Sequence, residues 1–212
     1  MNKMPSNIVI SILSGLTALF LLIALFLINF YRDPKRKIPS GNNVVSPADG
    51  KIINILKINK NKARIKKGVI GKIETLTEDI AKECYVISIF MSPFDVHVNR
   101  APIDGKVISI KHEKGKFFAA YDIEKSLSNE KNEIIIENKK IGRIKAIQIA
   151  GFLARRIVCS AKKNEKVNKG QKIGKIVLGS QVTLILPAKK INLRIKKDQR
   201  VNAGSTIIAD VL

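Results

Sequence analysis

The sequence predicts a mainly β protein: a barrel-like or barrel-sandwich body of short strands that carries one N-terminal transmembrane helix. Three observations favour this class. One uncharged apolar run near the N-terminus is long enough to cross a bilayer as a helix. After this run, short segments rich in β-branched residues alternate with turns of Gly, Asn and Lys, as in all-β domains. No stretch after residue 31 has the sustained apolar periodicity and the capping residues of a long helix.

The apolar run extends from Ile8 to Phe30 and lacks the small-residue cleavage site of a secretory signal. Residues 1–31 are therefore predicted to be a retained membrane anchor. Lys3 precedes the run, whereas basic residues follow it at positions 32, 35, 36 and 37. The positive-inside rule then predicts a single-pass protein of the cell membrane whose body lies on the cytoplasmic side.

Residues 32–43 are rich in Pro, Gly and Asn and are predicted to form a linker. Fully extended, this linker reaches roughly 35 Å at ~3.3 Å per residue, which keeps the body close to the membrane. Residues 44–212 are predicted to form the β-rich body. Its strands are expected near residues 51–58, 84–91, 105–111, 133–137, 143–150, 157–161, 174–178, 182–186, 193–196 and 205–211.

The composition limits the kinds of molecule that the protein is expected to bind. Lys and Arg outnumber Asp and Glu by 39 to 17, so the net charge of +22 predicts attraction to an anionic partner, although a general richness in Lys, Ile and Asn explains the surplus equally well. Aromatic residues are few and are not interleaved with the basic ones, so nucleic acid is not an expected partner. Cys84 and Cys159 lie in apolar runs without metal-ligand spacing, which predicts two buried thiols and no metal site.

Two late segments share a Val-Asn-x-Gly pattern, residues 165–174 and 199–208. The pattern is similar to turns of the small barrel-sandwich domains that carry biotin or lipoate, and a loose repeat of hairpins explains it equally well.

Two turn segments contain residue types suited to acid–base chemistry. In residues 45–51, Asp49 lies in a Pro/Gly turn that opens a strand, where Asp commonly caps its own backbone. In residues 91–102, Asp95, His97, Asn99 and Arg100 lie between two prolines, directly after an apolar strand. His97 is the better general base of the two histidines, because imidazole titrates near neutral pH and His112 lies in a polar, lysine-rich turn.

Gly179 and Ser180 lie between two apolar, β-branched runs. An ordinary turn is one interpretation, since Gly-Ser pairs are common in turns. The other is self-cleavage. Glycine permits a strained turn in which the Ser180 hydroxyl attacks the Gly179 carbonyl, and elimination from the resulting ester leaves a residue that hydrolyses to a pyruvoyl group.

Taken together, these segments resemble the phosphatidylserine decarboxylases in their short single-anchor form. The matching pieces occur in the family's order from the anchor to about Pro187. They are residues 30–34, 45–50, 92–102, 115–117, 148–151, 154–158 and 178–180.

The resemblance implies a proenzyme that cuts itself between Gly179 and Ser180 into a β subunit, 1–179, and an α subunit, 180–212. The two subunits are expected to stay associated because the strands on either side of the cut belong to one sheet. The covalent pyruvoyl cofactor, derived from Ser180, would form a Schiff base with phosphatidylserine in the membrane, release CO2 and yield phosphatidylethanolamine. The implied catalytic residues are Ser180, His97 and Asp49, with Asp49 orienting an imidazole that deprotonates Ser180 and His97 protonating the carbanion.

Some positions depart from the family pattern. Longer members carry two histidines three residues apart, and this chain has His97 at the first position and Arg100 at the second. Either His97 serves both steps or another group is the processing base. Arg100, Arg155 and Arg156 are the candidates to hold the lipid phosphate or carboxylate. An archaetidylserine substrate, a non-enzymatic membrane-tethered β-rich binding module and a homodimer all stay open.

Overall fold

A computed structural model of the chain describes residues 6–59, 77–115, 128–151, 156–177 and 180–212. Its one long helix, α1, runs from Ser6 to Phe30. Residues 7–30 are long and apolar enough to span a membrane, and the span is not buried inside the protein. Phe30, at the end of α1, is buried against the body.

Strands dominate the rest of the described chain. They are β1 Asn43–Val45, β2 Gly50–Asn59, β3 Glu83–Met91, β4 Val98–Arg100, β5 Gly105–Glu113, β6 Lys131–Asn138, β7 Gly142–Ala150, β8 Arg156–Cys159, β9 Lys166–Val167, β10 Lys172–Val177, β11 Ser180–Pro187, β12 Ile191–Leu193, β13 Arg200–Val201 and β14 Ile207–Val211. The predicted mainly β fold with one apolar N-terminal helix is confirmed. The predicted strand at 193–196 is wrong in its bounds, since β12 ends at Leu193.

The strands form three antiparallel sheets. A large sheet curls into a half barrel in the order β13-β2-β3-β11-β7-β6-β5-β9, and two three-stranded sheets have the orders β1-β14-β12 and β4-β10-β8. The strand order of the large sheet is internally symmetric. Counted inward from the two edges, β13 corresponds to β9, β2 to β5, β3 to β6 and β11 to β7. The two small sheets correspond strand by strand as well, β1 to β4, β14 to β10 and β12 to β8. The body therefore consists of two similar halves: an outer half of residues 43–91 and 180–212, and an inner half of residues 98–177.

The halves also share a turn sequence. Residues 46–52 are Ser-Pro-Ala-Asp-Gly-Lys-Ile, and residues 101–107 are Ala-Pro-Ile-Asp-Gly-Lys-Val. The two turns bond to each other reciprocally, Val45 N to Pro102 O and Arg100 N to Pro47 O, each at 2.9 Å. Each turn also pairs with one Val-Asn-x-Gly segment, through β13 on β2 and β9 on β5. The pattern noted in the sequence thus belongs to an internal repeat of the whole half.

The inner half is inserted into a hairpin of the outer half. In the inner half, β6 and β7 are joined by a short turn, and Asn138 pairs with Gly142. In the outer half, Met91 at the end of β3 pairs with Ser180 at the start of β11, and the inner half occupies the chain between them. Ser180 therefore marks the point where the chain returns to the outer half.

This topology corrects one expectation. The described strands on either side of the predicted cut, β10 and β11, lie in different sheets. Residues 180–212 are held by other pairings: β11 lies between β3 and β7, β13 pairs with β2, and β14 pairs with β1.

The segment from residue 32 to residue 42 has no helix or strand, yet it is docked on the body. Ile38 packs on Gly170 and Gly204, the equivalent glycines of the two Val-Asn-x-Gly turns. A Cβ added at these glycines would lie 2.3 and 3.0 Å from Ile38 Cδ1. Both glycines have positive φ, +80° and +75°, which favours glycine. The predicted linker therefore lies along the seam between the halves.

Apolar side chains fill both faces of the large sheet at its centre, with the main cluster spanning both halves. Cys84 is buried as predicted, whereas Cys159 is partly exposed, and the two cysteines do not form a disulfide. The prediction of two buried thiols is therefore wrong for Cys159.

Candidate active site

Ser180 is fully buried at the first position of β11, between Met91 on β3 and Ala150 on β7. Its Oγ donates to the thioether of Met91 at 3.4 Å. Strand alternation directs the Ser180 side chain toward the main core, on the same face as Val182. Gly179, the other residue of the predicted cleavage site, lies outside the described residues.

The loop from Ser92 to His97 is shaped by Asp95. Asp95 Oδ2 accepts hydrogen bonds from Ser92 N at 2.8 Å and Ser92 Oγ at 2.7 Å, and Asp95 Oδ1 pairs with Arg200. The backbone oxygen of Asp95 accepts a hydrogen bond from His97 Nδ1 at 2.8 Å. Because Nδ1 donates, the lone pair of the neutral ring is on Nε2.

His97 is held neutral by its surroundings. Its side chain is buried, and the ring of Phe30 lies 4.2 Å from the imidazole, centroid to centroid. Burial lowers the pKa of His97 from 6.5 to about 4, against the opposing effects of the Asp95 carbonyl and carboxylate. Nε2 is buried and has no hydrogen-bond partner among the described residues. At neutral pH this nitrogen is therefore a free proton acceptor.

A cavity of about 100 Å³ lies beside His97 where α1 meets the body. It is lined by Phe30, Tyr31, His97, Val98, Lys175, Ile176 and Val177. A neighbouring cavity of about 260 Å³ shares Val98 and Lys175. The last residues of the apolar helix thus cover the imidazole, and the lining reaches Val177, three residues before Ser180.

Asp49 is buried and bonds to two partners. Both carboxylate oxygens accept from Arg36 Nη2, at 2.9 and 2.7 Å, and Oδ1 accepts from Ala203 N at 2.7 Å. The predicted contact with an imidazole is not among its hydrogen bonds in the described ranges. The role of Asp49 in orienting a base stays a prediction.

The three predicted arginines occupy different settings. Arg100 is buried and donates to Gly170 O at 2.9 Å and to Asp33 Oδ1 at 2.6 Å, so its charge is already paired within the protein. Arg156 is exposed at the start of β8. Arg155 lies outside the described residues.

A buried line of three amide side chains leads toward Ser180, and only Asn99 among them was expected from the sequence. Asn132 Nδ2 donates to Gln148 Oε1 at 2.8 Å, and Gln148 Nε2 donates to Asn99 Oδ1 at 2.8 Å. Asn99 Nδ2 lies 3.7 Å from the sulfur of Met91, the same sulfur that accepts from Ser180. Asn99 and Gln148 both lie in segments that match the family. The sequence signal for this line was the presence of amide side chains in otherwise apolar strands, because a buried amide needs hydrogen-bond partners.

The family model described as phosphatidylserine decarboxylase matches residues 23–209. A Methanocaldococcus jannaschii protein, named only provisionally as an archaetidylserine decarboxylase proenzyme, is 45% identical over 88% of this chain and 90% of its own length. Phosphatidylserine decarboxylase proenzymes of Chlorobium phaeobacteroides and Chlorobaculum tepidum are 43% and 40% identical. They cover 88% and 87% of this chain, and 79% and 77% of their own lengths.

Proposed function

The chain belongs to the phosphatidylserine decarboxylase family, and we propose on that basis that it is a proenzyme that cuts itself between Gly179 and Ser180 and then decarboxylates phosphatidylserine to phosphatidylethanolamine. The observation that carries the proposal is the imidazole of His97. It is buried, neutral and free at Nε2, and it faces a cavity covered by the end of a helix that could span a membrane.

The residues around Ser180 fit a pyruvoyl cofactor. Ser180 is buried, its Oγ donates to the thioether of Met91, and Val177, three positions earlier in the chain, lines the cavity of His97. A pyruvoyl group formed from Ser180 would supply an electrophilic ketone that takes up the electrons left when CO2 departs.

His97 would move the protons of the reaction. The substrate amine arrives as an ammonium, and Nε2 of the neutral ring accepts one of its protons. His97 would then return this proton to the carbon from which CO2 has left, which restores the neutral imidazole, and the product amine would take up one proton from solvent on release, since decarboxylation consumes one proton overall. The hydrogen bond from Nδ1 to the Asp95 carbonyl fixes the tautomer, so Nε2 would stay the proton-accepting nitrogen.

The enzyme would act at the membrane on the cytoplasmic side. Basic residues follow α1 at positions 32, 35, 36 and 37, which favours this orientation. Phe94, on the His97 loop, is exposed and makes an edge contact with Phe26 of α1 at 6.4 Å. The loop therefore lies at the depth of the last helical turns, where a lipid headgroup is within its reach. Protease digestion of the body from outside intact cells would contradict the orientation.

The direct test is intact mass and N-terminal sequencing of protein purified in detergent. We expect two chains, 1–179 and 180–212, with the smaller one blocked to Edman degradation and reactive toward a carbonyl reagent. An uncut wild-type chain without decarboxylase activity would instead favour a membrane-tethered binding module.

A second substrate is supported by the Methanocaldococcus jannaschii relative, whose name refers to archaetidylserine. The serine headgroup is common to both lipids, so the cavity beside His97 suits either. Turnover of ester-linked and ether-linked lipids in matched micelles would distinguish the two substrates.

A further inference from the structure

Two groups of cations near the end of α1 differ in their described contacts. Those of the first group are paired with carboxylates: Arg36 with Asp49 at 2.7 Å, Arg100 with Asp33 at 2.6 Å, and Lys172 with Asp33. Their charges are already compensated within the protein, so they are poor ligands for a substrate anion.

The second group consists of Arg32 and Lys175. Arg32 donates to two backbone oxygens, those of Asn29 and Phe94. Lys175 is exposed on β10, and its Nζ lies 5.4 Å from the centre of the Tyr31 ring. In the described ranges neither side chain forms an ion pair. Lys175 lines both cavities beside His97, so its uncompensated charge lies at their shared mouth.

We propose that Lys175 binds the phosphodiester of the substrate lipid at the mouth of the His97 cavity. This inference rests on the proposed function, since it assigns a ligand to the same site. Tyr31 ends the apolar span, and residues at that level lie among lipid phosphates. An ammonium directed at this level gives a charge-assisted hydrogen bond to a phosphate oxygen. Lys175 thereby takes the role predicted for Arg100, whose guanidinium is occupied by Asp33 and Gly170.

The phosphodiester is a better ligand for Lys175 than the serine carboxylate. A cation paired with the carboxylate would stabilise the group that has to leave as CO2, and would raise the barrier to decarboxylation. A cation on the phosphodiester binds substrate, transition state and product alike, because the phosphodiester does not react. Lys175 is therefore expected to affect KM and leave kcat nearly unchanged.

The test compares Lys175→Ala, Lys175→Gln and Lys175→Arg with wild type and with Lys139→Ala. Lys139 is an exposed residue of the turn between β6 and β7, so its variant is matched in charge. KM is measured as mole fraction of phosphatidylserine in mixed micelles, and phosphatidylethanolamine is tested as a competing product. We expect Lys175→Ala and Lys175→Gln to raise KM about 10-fold and to weaken inhibition by phosphatidylethanolamine by the same factor. Lys175→Arg and Lys139→Ala should stay within about 2-fold of wild type, and all variants should self-cleave.

Three results would overturn the inference. An unchanged KM in both neutral variants would remove Lys175 from the site. A raised KM with unchanged inhibition by phosphatidylethanolamine would assign Lys175 to the carboxylate, because the product keeps only the phosphodiester. Loss of the effect of Lys175→Ala on KM in a Tyr31→Leu background would show that Lys175 acts only through its contact with the end of α1. An uncut and inactive wild-type protein would instead refute the proposed function. The mass of the chain distinguishes this outcome from a failure of the inference on Lys175.

Discussion

The outer and inner halves of the body contain the same turn, but the aspartate of this turn makes different contacts in the two halves. Asp49 and Asp104 occupy equivalent positions, and each accepts a backbone N–H at 2.7 Å, from Ala203 and Lys169 respectively. Asp104 is exposed, whereas Asp49 is buried under Arg36 of the linker segment. The backbone bond is therefore the structural function of this aspartate, and the buried ion pair is an addition found in the outer half.

The halves differ again at the end of their central hairpin. Ser180 begins β11, and its counterpart at the start of β7 is Gly142, in an exposed turn with no atom within 4 Å of an added Cβ. Insertion of the inner half converts this strand end from a surface turn into a buried position. The fold alone thus does not specify the chemistry, which depends on what covers each strand end.

The largest expected effect is the loss of cleavage on substitution of Ser180, with a substitution at the equivalent Gly142 as the control. Ser180→Ala should leave a single uncut chain without decarboxylase activity, because no hydroxyl is available to attack the Gly179 carbonyl. Gly142→Ala places a side chain at φ +83° and should cost about 1 kcal/mol in the free energy of unfolding, with cleavage intact. Intact mass and lipid turnover check both variants. An active Ser180→Ala protein would refute the proposed chemistry.

The next effect compares the histidines. His97→Ala should lower kcat by about 10²- to 10⁴-fold, the usual contribution of a general acid–base. His112 lies on β5 and not in the predicted turn, and His112→Ala, which removes an exposed contact to Glu130, should leave kcat unchanged. A gel of His97→Ala also tests whether His97 is the processing base: an uncut chain assigns cleavage to His97, and a cut chain assigns cleavage to another group and allows kcat to be measured.

Asp49→Asn should destabilise the protein by about 3 kcal/mol, because it leaves the guanidinium of Arg36 buried without a counter-charge. Asp104→Asn keeps the exposed turn and should cost at most about 1 kcal/mol. Urea unfolding in the uncut Ser180→Ala background measures both values. If the loss comes from the unpaired guanidinium, Arg36→Leu should recover part of it; no recovery would assign the loss to the bond that Asp49 accepts from Ala203 N.

The pH dependence of stability follows from His97. The pKa of its ring is about 4 in the folded protein and about 6.5 when unfolded, so below pH 6.5 the unfolded state binds the additional proton. The free energy of unfolding should therefore fall by about 2 kcal/mol from pH 7 to pH 5 through this group. His97→Gln in the Ser180→Ala background should lack this component, and equal pH profiles for the two proteins would contradict the assigned neutral state.

The smallest effect tests the seam. Gly170→Ala and Gly204→Ala each add a Cβ against Ile38 at positive φ, and each should cost about 1 kcal/mol or slightly more. Ile38→Ala should relieve the steric part at Gly170, where the added atom lies closer, more than at Gly204. Thermal unfolding of the double variants measures the difference.

Much of this architecture was predictable from local patterns. The apolar helix and the long strands have clear periodicity, and His97 and Ser180 lie in distinctive local sequences. The strands β1, β4, β9 and β13 were missed because segments of two or three residues carry no readable period. The pairing of Arg36 with Asp49 and the exposure of Lys175 depend on where a segment without regular structure docks. That docking is set by glycines more than 130 residues further along the chain.

The insertion of the inner half into the hairpin of the outer half affects the lifetime of the protein. Folding of the intact chain brings Met91 and Ser180 together, and the proposed cut then removes the covalent link that made this closure intramolecular. After the cut, β11 to β14 are held by strand pairing and core packing without a covalent link, and reassembly from the unfolded state becomes a bimolecular reaction that depends on protein concentration. The serine needed for a second cut is also gone. Each molecule can therefore mature only once, and its persistence is set by the rate at which the segment 180–212 dissociates.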